Sequence, residues 1–566
     1  MVEMRKKPFY LDDEGVEWVE RTLNSMSIEE KIGQLFCTVG YTTDETELKK
    51  MLDKNIGGMM YRPGIGEEIQ EVHRFLQKTS KIPLLLAANL ESGGVGTAVN
   101  GTNFGKPMQV AACAEEEQAY RLGKVSCSEG AAVGCNWAFA PIVDIDMNYR
   151  NPITNLRTFG NDPDRVLKMG GEYLKAADET GIAACIKHFP GDGVDDRDQH
   201  LHVTVNSLSA DEWMASYGKV YGGLIDQGAK TVMAAHIAQP ACAKKINPSL
   251  SEEEAYMPAS LSKEIMTGLL REELKFNGMI VTDATVMLGY MCSMSREKAV
   301  PTTIANGCDM FLFNRDFEED YEYMLKGYKE GILTEERIDE AVTRILALKA
   351  SLGLHVKQEN GTLVPGKEAL DVLGCDQFQS WAKECAEKSV TLVKDTQGLL
   401  PIDPNKTKRV VLFVDEDIDL YGENGKLERL LGEKLTEQGF EVVPAPAESF
   451  ITDKPLNIAE FKEKYDLAIY AFSLSGGSNS TVVRLNWKGG IMGGQTPWFT
   501  QEIPTMGVSF GNPYHLQDAP MMKTFVNAYT NTEYTVEAFV KKIVGKSEFV
   551  GVSPVDPFCG KVDTRF

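Results

Sequence analysis

Long apolar runs are missing from this sequence of 566 residues. No window reaches the roughly 18 to 20 uncharged apolar residues that a helix needs to cross a bilayer. The N-terminal segment MVEMRKKPFYLDDEGVEWVERTL turns acidic where a signal peptide would have its apolar core. We therefore expect a cytoplasmic protein with no membrane partner.

An excess of basic residues is missing as well. The 59 lysines and arginines stand against 82 acidic residues, which gives a formal net charge of −23 at pH 7. Nucleic acids attract basic surfaces, so no nucleic-acid partner is expected. The eleven cysteines form no Cys-x-x-Cys pair, and Cys185 and Cys308 stand inside apolar runs. This usage argues against a zinc cluster and favours reduced, buried thiols.

The chain does contain a regular alternation of two kinds of segment. Short apolar runs such as PLLLAANL, GIAACIKHF and GMIVTDA alternate with segments of helical periodicity. One of these, SIEEKIGQLF, begins with Ser27 and Glu30 at the spacing of a capping box. Eight apolar runs in the first part of the chain predict a (β/α)₈ barrel, with an open doubly wound sheet as the alternative.

A domain boundary is indicated by the Asn-Gly and Pro-Gly breakers that follow the periodic segment TEERIDEAVTRILALKASLGL. We predict a catalytic barrel over residues 1–355, a linker over 356–375 and a second αβ domain over 376–566. Runs such as RVVLFVDE and DLAIYAFS are the predicted strands of that second domain.

Polar side chains follow five of the predicted barrel strands. They are Asn89 and Glu91, Asp144 and Asp146, Lys187 and His188, His236, and Asp283. The carboxyl ends of parallel strands line the ligand crevice in barrels and in doubly wound sheets alike. We therefore expect these side chains to converge on one pocket.

The stretch GIAACIKHFPGDGVDDRDQHLH, residues 181–202, holds three of the seven histidines of the chain. Asp198 and His200 are two residues apart, so in an extended loop they project to the same side. Asp198 can then orient the imidazole of His200, which gives a dyad for proton transfer near neutral pH.

Two other interpretations of this stretch stay open. A metal site would draw on six side chains: His188, Asp192, Asp195, Asp198, His200 and His202. Their spacing fits no established ligand pattern. A solvated acidic loop with incidental histidines is the other interpretation.

Asp283 ends the run GMIVTDA, where it stands either as a helix cap or as a carboxylate nucleophile. A carboxylate that attacks an acetal, with a separate proton donor at the leaving oxygen, performs retaining glycoside hydrolysis. The presence of the Asp198–His200 pair favours the nucleophile.

The segment KHFPGDGVDDRDQH resembles the signature of the β-N-acetylglucosaminidases (β-N-acetylhexosaminidases) of glycoside hydrolase family 3, and GMIVTDATVM resembles the nucleophile strand of that family. The resemblance extends over nearly the whole chain. It implies a (β/α)₈ TIM-type barrel followed by an αβ-sandwich domain. It also implies Asp283 as nucleophile, His200 as general acid/base and Asp198 as its orienting partner, without a metal or a cofactor. The sugar contacts implied by the resemblance are Arg157, Lys187, His188 and Asn89, and we predict His236, at a strand end, as a further sugar contact.

The block AANLESGGVGTAVN departs from the family pattern Asp-Gln-Glu-Gly-Gly-Arg. Asn89 stands in place of the sugar-binding Asp, Ser92 in place of a glycine, and the following arginines are missing. An Asn side chain still bonds a hydroxyl, but without the charge assistance of a carboxylate. The sugar therefore stays open between glucosamine, galactosamine and non-acetylated types.

We predict a retaining exo-glycosidase that releases terminal β-linked N-acetylglucosamine or another N-acetylhexosamine from short saccharides or wall fragments. One alternative is a glycoside phosphorylase that uses phosphate as the acceptor, since a histidine repels phosphate less than a carboxylate does. The other alternative is a saccharide-binding protein without catalysis. The sequence leaves the oligomeric state open, a homodimer included.

Overall fold

The structure is a computed structural model, and it describes residues 2–417, 425–445, 456–481, 484–487 and 495–566. The chain divides into two compact units. The first consists of Met1–Phe104, Ala119–Thr154 and Asn161–Gln379, and the second of Gly105–Gln118, Asn155–Gly160 and Ser380–Phe566. The predicted domain bounds at 355 and 376 stay a prediction.

Ten strands lie in the first unit. They are β1 (Phe36–Gly40), β2 (Gly58–Tyr61), β3 (Leu85–Ala88), β4 (Trp137–Ala138), β5 (Ala183–Phe189), β6 (Thr204–Val205), β7 (Thr231–Ala234), β8 (Ile237–Ala238), β9 (Met279–Thr282) and β10 (Phe311–Leu312). Eight of them form one parallel sheet in the order β10-β1-β2-β3-β4-β5-β7-β9, and β6 pairs with β8. A parallel bridge between Val281 and Met310 joins the two ends of the sheet, so the barrel is nearly closed.

The barrel strands are apolar because they are covered on both faces. All residues of β3, β5 and β9 are buried. The run CNWAFAPIVDI contributes only the two residues of β4, since Pro141 has no N–H to donate to a ladder.

Helices fill the connections along the chain. The α-helices are Asp13–Ser25, Ile28–Gln34, Glu45–Leu52, Gly66–Thr79, Pro107–Ala112, Glu116–Ala132, Pro163–Glu179, Ala210–Trp213, Lys219–Asp226, Pro240–Ile246, Glu252–Ala255, Leu288–Met291, Arg296–Ala305, Phe317–Lys329, Glu335–Ser351, Leu354–Glu359, Asp376–Ser389, Lys426–Glu437, Ile458–Lys464 and Glu533–Ile543. Met214–Gly218 and Glu264–Glu273 are π-helical. Short 3₁₀ turns lie at Gly94–Gly96, Asn155–Arg157, Ala259–Leu261, Lys367–Val372, His515–Gln517 and Asp563–Arg565.

The predicted capping box at Ser27 is confirmed. The Glu30 N–H donates to Ser27 Oγ at 3.3 Å, and the Ser27 N–H donates to Glu30 Oε2 at 3.0 Å. This helix ends at Gln34, inside the segment SIEEKIGQLF, and strand β1 begins at Phe36.

Within its described residues, the second unit forms a sheet of six strands. They are β11 (Thr391–Asp395), β12 (Arg409–Glu416), β13 (Glu441–Pro444), β14 (Leu467–Ser473), β15 (Thr505–Ser509) and β16 (Thr524–Asn527). Their order is β11-β16-β15-β14-β12-β13, and only β11 runs antiparallel, against β16.

Both faces of this sheet are packed, because successive strand residues point to opposite sides. Val410 and Leu412 lie in a core with side chains of the helices Lys426–Glu437 and Glu533–Ile543. Val411 and Phe413 lie in a second core with Phe461. The predicted fold class, a (β/α)₈ barrel followed by an αβ sandwich, is confirmed.

All eleven cysteines are free thiols, eight of them buried. Burial raises the pKa of Cys185 and Cys308 to about 12, which keeps both protonated. Within the described ranges, no helix combines the length and the apolar composition that a bilayer span requires.

Candidate active site

The loop after β5 brings Asp198 and His200 together. Asp198 Oδ1 accepts hydrogen bonds from the backbone N–H of His200 at 2.8 Å and from its Nδ1 at 2.6 Å. The Asp198 side chain is fully buried, whereas 23% of the His200 side chain is exposed. Because Asp198 Oδ1 accepts this bond, Nδ1 carries a proton, and Nε2 is the nitrogen suited to exchange one with a substrate.

Asp283 follows β9 directly, and hydrogen bonds to the backbone hold both its N–H and its side chain. Its N–H donates to Ala234 O at 2.7 Å, and the Ala284 N–H donates to its Oδ1 at 2.7 Å. Burial alone would raise the pKa of Asp283, but nearby histidines, His188 foremost, and the Ala284 N–H hold it below its ordinary value. The carboxylate is therefore ionised, which is the form a nucleophile needs.

Lys187 and His188, at the end of β5, are each held by a carboxylate. Lys187 Nζ donates to Glu91 Oε1 at 2.7 Å. His188 donates to Asp144 twice, from its N–H at 3.0 Å and across the 2.7 Å between Nδ1 and Oδ2. Both side chains are almost completely buried, so their orientation is fixed before any substrate binds.

Asn89 follows β3, and its side chain is exposed. The glycine-rich loop after it wraps around the buried Glu129, whose carboxylate accepts the N–H and the Oγ1–H of Thr102, both at 2.7 Å. A Cβ on Gly94 would lie 1.9 Å from Glu129 Oε2, so this position requires glycine. No local sequence pattern links Glu129 to this loop, and for that reason the sequence did not reveal it.

His236 is buried and bonds to protein groups through both ring nitrogens. Nε2 lies 3.0 Å from Ala284 O and Nδ1 2.8 Å from Ser260 Oγ. A carbonyl only accepts, so Nε2 carries the proton and the Ser260 hydroxyl donates to Nδ1. Burial lowers the pKa of His236, in keeping with this neutral ring. The ring supports the residue next to Asp283, and its predicted sugar contact stays untested.

Asp192 also lies beneath the site, and its role was missed from the sequence. Its N–H donates to Asp144 Oδ1 at 2.8 Å, and its own Oδ1 accepts from Asn151 Nδ2 at 2.8 Å and from the Gly193 N–H at 2.7 Å. Its Oδ2 is buried without a hydrogen-bond partner. Burial, and then the charge of Asp144, raise the pKa of Asp192 to about 7.

Asp195, another acidic residue of this loop, has separate partners. Asp195 bonds to Arg197 at 2.7 Å and accepts the Val205 N–H at 2.7 Å. In the part of the chain that the structure describes, no three His, Cys, Asp or Glu side chains form a group able to hold a metal ion. Arg157 ends the 3₁₀ turn Asn155–Arg157, which belongs to the second unit, and its predicted sugar contact stays a prediction.

The carboxyl edge of the barrel thus carries an ionised carboxylate, a His–Asp dyad, and a lysine and a histidine that are each anchored by a carboxylate. Such a barrel, with these groups at its strand ends, defines an enzyme of the glycosidase class.

Comparison with known proteins specifies the family. Residues 27–348 match the Glycosyl hydrolase family 3 N terminal domain. Over 570 aligned residues, covering 100% of both chains, the sequence is 42% identical to a β-N-acetylglucosaminidase/β-glucosidase of Cellulomonas fimi. The chain belongs to glycosyl hydrolase family 3.

Two solved structures share the fold of this chain. The structure of the β-glucoside phosphorylase BglX is 45% identical, with a TM-score of 0.93 and 99% of each chain covered. A family 3 β-N-acetylglucosaminidase from Paenibacillus sp. str. FPU-7 shares the fold, with a TM-score of 0.77 at 23% identity over 94% of this chain and 99% of that one. The prediction of a glycoside hydrolase is confirmed.

Proposed function

We propose that this chain is a retaining, exo-acting enzyme that removes a terminal β-linked glucosyl or N-acetylglucosaminyl unit from short saccharides. One observation carries the proposal. The ionised Asp283 and the Asp198–His200 dyad stand at the same edge of the barrel, and the segment after Asp283 is hydrogen-bonded to His200 through the Leu288 N–H at 2.9 Å.

These groups support a double displacement. Asp283 attacks the anomeric carbon while Nε2 of His200 protonates the leaving oxygen, and a glycosyl ester forms on Asp283. His200 then takes the proton of an acceptor, which displaces Asp283 with overall retention of configuration. Asp198 holds the imidazole in the tautomer that both steps need.

The substrate class is supported by the relative at 42% identity, whose name includes both N-acetylglucosaminidase and glucosidase. Asn89 gives a neutral hydrogen bond to a hydroxyl, and such a bond distinguishes sugars less strictly than a charged one. We therefore include both sugars, and wall fragments among the donors. A location in the cytoplasm is part of the same proposal.

Phosphate is the second candidate for the acceptor, and two observations support it. An imidazole acid/base does not repel a phosphate dianion, whereas a carboxylate at the same place would. The chain is also 45% identical over 99% of its length to a β-glucoside phosphorylase. In that reaction phosphate attacks the glycosyl ester and gives a β-configured sugar 1-phosphate.

The test is release of 4-nitrophenol from the β-glucoside and the β-N-acetylglucosaminide, with and without phosphate, with products followed by ³¹P NMR. Phosphorolysis predicts faster turnover with phosphate and a sugar 1-phosphate as the main product. Free sugar as the main product in saturating phosphate would establish hydrolysis instead. No turnover of either glycoside would leave only the binding-protein interpretation.

His200→Glu is the matched variant for the acceptor, because it replaces the imidazole with a carboxylate. We expect it to lose the stimulation by phosphate while it keeps some hydrolysis. A variant that responds to phosphate as strongly as the unaltered enzyme would contradict the electrostatic argument.

A further inference from the structure

Gln199 lies between the two residues of the dyad, and it is 1% exposed. Its side-chain oxygen bonds to the protein main chain. Its Oε1 accepts the backbone N–H of His236, which lies just after β7, at 2.9 Å. Its backbone oxygen accepts the Gly289 N–H at 3.3 Å. This one residue therefore ties the loop after β5 to two neighbouring segments of the barrel edge.

Both segments lead to Asp283. On the first route, the His236 ring holds Ala284 O at 3.0 Å, and the Ala284 N–H bonds the Asp283 carboxylate at 2.7 Å. On the second route, Gly289 follows Leu288, which lies five residues after Asp283 in the chain. The Leu288 N–H donates to His200 O. The loop that carries the acid/base and the strand end that carries the carboxylate are thus joined through Gln199 and its neighbours.

The contacts between Gln199 and Gly289 leave no room for a larger side chain at position 289. A Cβ on Gly289 would lie 2.6 Å from Gln199 O, 2.7 Å from His202 O and 3.0 Å from the His236 Cβ. Loss of the Gln199 side chain would also leave the buried His236 N–H without its acceptor, which favours a rearrangement.

We infer that Gln199 is a positioning residue that sets the place of the His200 imidazole relative to Asp283. This inference rests on the roles proposed above for those two residues. A general acid must lie within hydrogen-bond reach of the leaving oxygen, so a displaced loop weakens protonation before it affects the carboxylate.

Leaving-group dependence separates this role from a merely structural one. A 2,4-dinitrophenolate departs without protonation, whereas an unactivated phenol needs the acid. For Gln199→Met we expect kcat/KM on the phenyl glycoside to fall at least about tenfold, toward the roughly 10²- to 10⁴-fold loss typical of a removed acid. On the 2,4-dinitrophenyl glycoside the change should stay within about threefold. Gln199→Glu keeps the acceptor oxygen and should restore most of the loss.

Gln239→Met is the control, because Gln239 is also buried and its side chain bonds the Cys242 N–H and Leu208 O, both at 2.7 Å. It should alter thermal stability without changing the leaving-group dependence. If Gln199→Met does not fold, Gly289→Ala disturbs the same contacts of Gln199. It should give the same selective loss of activity on the phenyl glycoside.

His200→Ala is assayed in parallel to separate the two levels of the argument. If His200→Ala shows no selective loss on poor leaving groups, the proposed function itself fails. Suppose His200→Ala does show that loss, while Gln199→Met and Gly289→Ala lower kcat/KM on both glycosides equally or not at all. The inference about Gln199 is then overturned, and the proposed function stands.

Discussion

The backbone oxygen of His200 accepts a hydrogen bond from the N–H of Leu288 at 2.9 Å. Leu288 lies five residues after Asp283 and begins the short helix Leu288–Met291. The two segments that carry the proposed acid/base and nucleophile therefore touch through their main chains. Side chains near this contact have to be small, and Gly289 fills that position.

Gly289→Ala should lower kcat substantially while the protein stays folded. The added Cβ would meet Gln199 O and His202 O at less than 3 Å, so the loop has to move away. Activity on a phenyl glycoside measures the effect. Gly222→Ala is the control, because nothing lies within 4 Å of its Cβ in the helix Lys219–Asp226, and it should retain full activity with a stability gain of about 0.5–1 kcal/mol. Equal activity in the two variants would contradict the prediction.

Asp283→Asn should abolish the covalent step. An amide is a far weaker nucleophile, and loss of a nucleophile lowers kcat by a factor on the order of 10³ to 10⁶. Mass spectrometry after incubation with a 2-deoxy-2-fluoroglycosyl fluoride should show one added sugar on the unaltered protein and none on the variant. Asp211→Asn, at a side chain that is 99% exposed, should label normally. A label found on any other carboxylate would show that Asp283 is not the nucleophile.

Asn89→Ala should raise KM for the preferred glycoside, with a smaller effect on kcat. Loss of one neutral hydrogen bond corresponds to a change of roughly 2- to 10-fold. Asn89→Asp should instead lower KM, since a carboxylate makes a charge-assisted bond to a hydroxyl. The exposed Asn360 provides the control substitution to Asp, which should leave KM unchanged. Unaltered KM in both Asn89 variants would remove this residue from the sugar site.

Asp192→Asn should stabilise the fold more at pH 8 than at pH 5. The folded-state pKa of Asp192, about 7, lies above the ordinary value of 3.8, so its contribution is fully favourable below pH 3.8 and is lost as pH rises through 7. Asn cannot ionise and avoids this loss. We expect the gain at pH 8 to exceed the gain at pH 5 by about 2–3 kcal/mol, as measured by urea unfolding. Asp196→Asn, at an exposed carboxylate, should show no such difference.

The sequence predicted those features that depend on neighbours in the chain. The capping box at Ser27 and the strand Arg409–Glu416 follow from local pattern, and the structure has both. The pairing of Asp198 with His200 needs only a spacing of two residues. The alternation of strands and helices predicted a parallel sheet but left a closed barrel and an open doubly wound sheet as alternatives, and the family resemblance pointed to the barrel.

Features that depend on distant residues were not predictable. The interpretation of His236 as a sugar contact could not foresee Ser260 and Ala284 at its two ring nitrogens. Glu129 is separated by 27 residues from Thr102, which it binds, and no spacing rule connects them. Strand β4 is short because Pro141 interrupts an otherwise continuous apolar run, a limit that hydrophobicity alone does not show.

The division of the chain also has a consequence for synthesis on the ribosome. Residues 105–118 and 155–160 pack with the second unit, whose remainder begins only at Ser380. At ordinary translation rates of roughly 5–20 residues per second, the gap between residues 118 and 380 takes on the order of 10–50 s. During that interval the nascent barrel holds two segments whose packing partners have not yet been made. Until the residues after Ser380 are made, Gly105–Gln118 cannot form the contacts it has in the folded protein, such as that between Cys113 Sγ and Cys385 Sγ at 3.7 Å.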